Sequence, residues 1–164
     1  MNQLNLQLGR AIPINGTRKE IRMIFLDLCT SLYQNGIKRI LFIDTINFLD
    51  PHRMDLGDLN EINFYDNIFC VRTGLPYDLY ARLSTAESFI RYHRIQVLLV
   101  SSISSLFSGF EKNETKQIVK NILEKINNLT EKCNLFTIIG NTTSDEKDVM
   151  EAYDVVDRIM SNQS

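Results

Sequence analysis

The chain has 164 residues and a net charge of −2, with 44% hydrophobic and 23% charged residues. These are the proportions of a globular domain, and they exclude collagen-like and disordered classes. No apolar run approaches the ~20 residues of a membrane span, and the slightly acidic total argues against a broad DNA-binding face. The length fits a single domain over 1–164.

The N-terminal MNQLNLQLGR has no basic segment ahead of an apolar block. No secretory leader is read there, and a cytoplasmic location is expected, nuclear in a eukaryote. Residues 20–34 place Ile21, Ile24, Phe25, Leu28 and Leu32 on one stripe, which predicts a helix closed by Asn35-Gly36. The run RILFID (39–44) predicts a buried strand, and NIFCVR (67–72) a second. Pro76 opens a helix to about Tyr92, with Leu79, Leu83, Ala86, Phe89 and Ile90 inward. QVLLV (96–100) is a third strand. A long amphipathic helix follows from Thr115 to Lys132, then a fourth strand, NLFTII (134–139). Asp145 to Tyr153 reads as helix and Val155 to Met160 as a final edge strand. Uninterrupted apolar strands alternating with helices imply a mostly parallel sheet covered on both faces, a three-layer α/β/α fold. In such sheets the crevice lies beyond the carboxyl ends of the strands. That directs attention to Asp44-Thr45-Ile46, Arg72-Thr73, Ser101-Ser102 and Gly140-Asn141-Thr142.

Four segments carry a family resemblance, in order along the chain. LGRAIPINGTRKEI (8–21) resembles the "LGGGIPxGxITEI" stretch that leads into the phosphate loop of RecA/RadA-type recombinases. ILFIDTINFLDPHRM (40–54) resembles their "VLYIDTEGxFxPERL". IQVLLVSSISSLF (95–107) resembles the Walker B segment "VxLLVIDSIxxLF", and LFTIIGNTT (135–143) the sensor strand "xxVVVTNQV". The resemblance implies a RecA-like P-loop NTPase core.

The departures from that pattern fall on its chemistry. The G-x-x-x-x-G-K-[ST] loop, whose backbone N–H groups cradle phosphates, is missing, as if deleted before Met23-Ile24-Phe25. A forced alignment puts Lys19 at the lysine, Pro13 and Arg18 at the glycines and Glu20 at the Mg²⁺ hydroxyl. Ile46 stands where the resemblance expects the glutamate that activates water. Ser101 stands at the Walker B aspartate and Thr142 at the sensor glutamine. The resemblance therefore implies a pseudo-ATPase, with no catalytic residue, no cofactor and no metal. It further implies a protein-binding accessory factor in homologous recombination and DNA repair, partnered by an active recombinase, another paralogue or a second copy of itself. Two alternatives stand beside it. One is a RecA-like domain that holds nucleotide by a non-standard site, using Lys19, Arg18, Asp44, Ser101 and Asn141. The other is an unrelated flavodoxin-like or receiver-type module.

The remaining candidates each have a plain reading beside the functional one. Asp44 is a relic of a crevice or a cap on its strand end. The serines 101, 102, 104 and 105 have no neighbouring histidine and no G-x-S-x-G elbow, so capping is expected. His52 and His93 lack zinc-ligand spacing. Cys29, Cys70 and Cys133, odd in number, are expected to be buried thiols of a reducing compartment. Arg53, Arg72, Arg91 and Arg94, with Lys38 and Arg39, are the candidates for nucleic-acid contact or else a solvated rim. Phe64, Tyr65, Tyr77, Phe107 and Phe110 are expected in loops, as partner anchors or folded back on the domain.

Overall fold

The computed structural model describes residues 8–48 and 68–162. Five strands form one all-parallel sheet in the order β1-β5-β4-β2-β3. They are β1 (Ala11–Gly16), β2 (Ile40–Asp44), β3 (Ile68–Arg72), β4 (Val97–Val100) and β5 (Phe136–Thr142). Four helices accompany them: α1 (Arg18–Gln34), α2 (Pro76–His93), α3 (Lys112–Cys133) and α4 (Lys147–Ser161).

Strand alternation divides the core between the two faces. Ile40 and Phe42 of β2 meet Phe25, Cys29 and Leu32 of α1. Leu41 and Ile43 point the other way, into the layer that α2, α3 and α4 build with Leu98, Val100 and Ile139. The result is helix on both sides of a parallel sheet, as the uninterrupted apolar strands predict. Across the α1 face, Phe25 packs edge-on against Phe42 at 5.6 Å.

Three helices stop in the same way. The N–H groups of Ile37, Ile95 and Leu135 donate to the carbonyls of Leu32, Ile90 and Thr130 at 2.9, 2.9 and 3.0 Å. Gly36, Arg94 and Asn134 hold the left-handed turn, at φ of 81°, 53° and 51°. Each stop is followed at once by an apolar residue heading toward the next strand.

The structure corrects several expectations. β1 is a strand that the composition hid, because Pro13 and Gly16 interrupt its apolar pattern; as an edge strand it tolerates the missing proline N–H. The expected last strand, Val155 to Met160, is instead the second half of α4. Val149, Ala152, Val156 and Met160 recur every three or four residues and are buried, so helical period prevails over the local β-branched pair. β3 is the other edge of the sheet and is only partly covered. Cys70 on it is exposed and Cys133 half-buried; only Cys29 is a buried thiol, pushed up to about 12 by burial. Phe89 faces outward from α2 and meets Phe69 at 5.4 Å rather than entering the core.

Candidate functional site

The ends of β2, β4 and β5 meet at the carboxyl edge of the sheet, where hydroxyl groups tie them together. Ser101 Oγ, just past β4, accepts from the Thr45 N–H at 2.8 Å. Thr45 Oγ1 lies 3.0 Å from Ser101 Oγ, donates to the Ser102 carbonyl at 2.6 Å and accepts from the Ser102 N–H at 3.1 Å. Ser102 Oγ pairs with Thr142 Oγ1 at 2.7 Å. Ser104 Oγ donates to the Thr142 carbonyl at 2.7 Å and accepts from its N–H at 3.1 Å. Ser101, Ser102, Ser104 and Thr142 are all buried, so these bonds meet polar demands that water cannot. The packing is tight: a Cβ added at Gly140 would fall 2.0 Å from the Ser101 carbonyl oxygen.

Asp44 is the buried carboxylate of this edge. Its Oδ1 accepts from the N–H groups of Phe48 at 2.9 Å and Ile46 at 3.3 Å, and from Ser101 Oγ at 3.5 Å. It therefore shapes the turn after β2, the capping role of the plain reading. Among the described residues, no group of three His, Cys, Asp or Glu side chains comes together as a metal-holding cluster.

The start of α1 is built without a phosphate loop. β1 ends at Gly16, Thr17 caps the helix, and α1 begins at Arg18. The Glu20 carboxylate accepts from the Thr17 N–H and hydroxyl, both at 2.8 Å, while Thr17 Oγ1 accepts from the Glu20 N–H at 3.3 Å. This is a reciprocal capping box. The backbone bond from Thr17, then its hydroxyl, hold the Glu20 carboxyl below the ordinary 4.5. A helix N-terminus attracts anions; here the chain's own carboxylate has that place. Arg18 reaches across to donate to the Ile46 carbonyl, and the Thr143 N–H donates to the Gly16 carbonyl at 2.9 Å. Lys19 is exposed on the first turn of α1.

Asn141, near the end of β5, is engaged within the fold. Its Nδ2 donates to Asn15 Oδ1 at 3.2 Å and to the Tyr153 carbonyl at 3.1 Å, tying β5 to β1 and α4. Asn15 in turn donates to Asp157 of α4 at 2.6 Å. Asn141 Oδ1 is buried with no partner among the described residues.

The expected partner anchors separate. Phe107 is a correction: it lies on a 3₁₀ turn (Ser104–Phe107), fully buried, because Ile103, Leu106 and Phe107 form the floor under α3 and α4. Phe110 packs against it at 5.5 Å, half-buried. Tyr77 is exposed but on the first turn of α2 rather than in a loop, and its hydroxyl donates to Glu114 at 2.5 Å. Phe64, Tyr65, Arg53 and His52 lie outside the described residues.

The candidate cations divide as well. Arg72 ends β3 at the carboxyl edge. Arg91 and Arg94 close α2 at the opposite, amino edge, so they share no patch with Arg72. Thr45 stands among the strand-end residues that the sequence singles out, whereas Thr17 does not. T-x-x-E at 17–20 is a legible capping signature, whereas the partners of Thr45 come from 56 and 57 residues away. No family model matches the chain, and no curated protein matches it either.

Proposed function

We propose that the chain is a non-catalytic, RecA/RadA-like accessory protein that works by binding another protein in homologous recombination and DNA repair. The observation that carries this reading is the fate of the resembling positions. β1 passes through one residue into a helix capped by Thr17 and Glu20, while Ser101 and Thr142 are spent on hydrogen bonds that join strand ends. A triphosphate there would meet the Glu20 carboxylate with no glycine loop to receive it. Hydrolysis would need a carboxylate to hold Mg²⁺ and a base to orient water; Asp44 is the buried acid, and its oxygen is engaged by Ile46, Phe48 and Ser101. The fold elements that resemble the recombinase thus act as scaffold.

The two sheet edges, β1 and β3, offer the geometry for strand addition to a recombinase, a paralogue or a second copy. Co-purification of the tagged chain with the host recombinase or a paralogue is the expected result. Empty pull-downs, together with no recombination defect on deletion, contradict the reading. The alternative of a non-standard nucleotide site rests on Lys19, which is exposed on the first turn of α1, but Arg18, its neighbour, is engaged with the Ile46 carbonyl.

A further inference from the structure

The outward side of α2 carries no charge along its length. At about 3.6 residues per turn, Tyr77, Ala81, Ser84, Thr85, Ser88 and Tyr92 fall together, opposite the buried Leu79, Leu83 and Ile90. All six are exposed, Tyr77 at 57% and Tyr92 at 83%. A helix side that meets only water is ordinarily charged; the exposed residues of α3 include Lys116, Lys120, Glu124 and Glu131. The charges of α2 stand on its flanks instead, tied within the helix as Arg82 with Asp78 at 2.9 Å and Arg91 with Glu87 at 3.0 Å.

This side can lose its water at small cost. Ser84 Oγ and Thr85 Oγ1 donate back to the carbonyls of Tyr80 and Arg82 at 2.9 and 3.2 Å, so covering them leaves neither hydroxyl proton unpaired. Both tyrosines are steadied in advance. The Tyr77 hydroxyl donates to Glu114 at 2.5 Å and its ring lies 6.3 Å from Phe110. Tyr92 has His93 edge-on against it at 4.8 Å. Two held rings with small residues between them bury area without much loss of side-chain freedom.

The pattern is also its own complement. Positions mirror one another about the Ser84–Thr85 step: Tyr77 answers Tyr92, and Ala81 answers Ser88. A second α2, laid antiparallel across a two-fold axis at that step, brings small residues level with small ones, so the helices approach closely. Each end of the contact, about 22 Å from the other, is then closed by a Tyr77–Tyr92 pair. The flanks agree. Asp78 comes level with the partner's Arg91, and Arg82 with the partner's Glu87. A parallel pair would set each of these charges level with its own like. Charge complementarity thus selects both the occupant and its direction.

From this self-complementarity we infer that the outward side of α2 is the interface of a two-fold symmetric dimer of this chain, with the α2 helices antiparallel and Tyr77 and Tyr92 as its anchors. This goes beyond the protein-binding reading and does not depend on it, because it uses neither edge strand and needs no recombinase. One helix pair makes a small interface, so the dimer is expected to be weak.

Sedimentation velocity of the full chain across about 5–500 µM, the range in which weak dimers form, tests it. The mass is expected to rise with concentration from 19.0 kDa toward twice that value. Ser84→Lys sets like charges beside the two-fold axis on an exposed turn. It is expected to keep the chain monomeric throughout, with the melting temperature of the dilute protein unchanged. Tyr92→Ala is expected to weaken the dimer about tenfold or more. For the direction of the helices, Ala81→Cys and Ser88→Cys chains, each also carrying Cys70→Ser, are mixed under mild oxidation, and the expected cross-link joins one of each. A wild type that stays at 19.0 kDa at the highest concentration overturns the inference. So does a Ser84→Lys chain that dimerises like wild type, or an Ala81→Cys chain that links to itself as fast as to the Ser88→Cys chain.

Discussion

Thr45 shows how much of the candidate site rests on single hydroxyls. Its Oγ1 contacts Ser101 Oγ, the Ser102 carbonyl and N–H, and Ser105 Oγ. Thr45→Val keeps the shape and removes all of these, leaving buried partners short. The expected cost is about 1–3 kcal/mol by denaturant unfolding, with no change in partner capture. Glu20 acts through charge. Its folded pKa is depressed by Thr17, so its contribution to stability is present above the unfolded value and is lost as pH falls through the folded one. Glu20→Gln should accordingly flatten the acid limb of the stability profile as pH falls below the ordinary carboxylate range, because the variant has no carboxylate there to lose. A wild type and variant that lose stability in parallel on acidification would contradict this. Thiol accessibility follows burial: Ellman's reagent should label Cys70 first and reach Cys29 only on unfolding.

At the scale of elements, two backbone positions make opposite predictions. Gly140 lets the end of β5 lie against the turn after β4, and a Cβ there collides with the Ser101 carbonyl. Gly140→Ala is expected to cost about 3 kcal/mol, read as a fall in the urea midpoint. Arg94 holds the left-handed turn that ends α2, where glycine is at ease and arginine is not. Arg94→Gly should gain about 0.5–1 kcal/mol, read as a rise in the urea midpoint. Phe107→Ala removes a fully buried ring and should cost about 3–5 kcal/mol.

The elements also show what could be read in advance. α1, α2 and α3 announced themselves by period, and α1 also by its stop at Asn35-Gly36; the stops at Arg94 and Asn134 carry no such signal, and Asn134 reads as the start of the next strand. β2, β4 and β5 did so by unbroken apolar runs. β1 did not, because six residues containing Pro13 and Gly16 carry no strand signal; its partner β5 is supplied from the far end of the chain. The second half of α4 was hidden for the opposite reason. Val155-Val156 reads locally as strand, and only the distant core against which Val156 packs fixes the helical face. Likewise the serines after β4 were legible as capping groups, but not as the ties between three strand ends, since Thr45 and Thr142 reach them across the sheet.

At the scale of the whole molecule, parallel order sends every strand end that resembles a recombinase position to one edge. Among the described residues the carboxyl edge is tied by its own hydroxyls and by the Thr17–Glu20 cap, and we propose that it receives no triphosphate with its magnesium. Isothermal titration of the purified chain with ATP and Mg²⁺, paired with a thermal melt in saturating nucleotide, tests this most directly. No binding heat and an unmoved melting temperature are expected. A saturable heat with a melting temperature raised by several degrees, as ligand binding to the folded state requires, would contradict it.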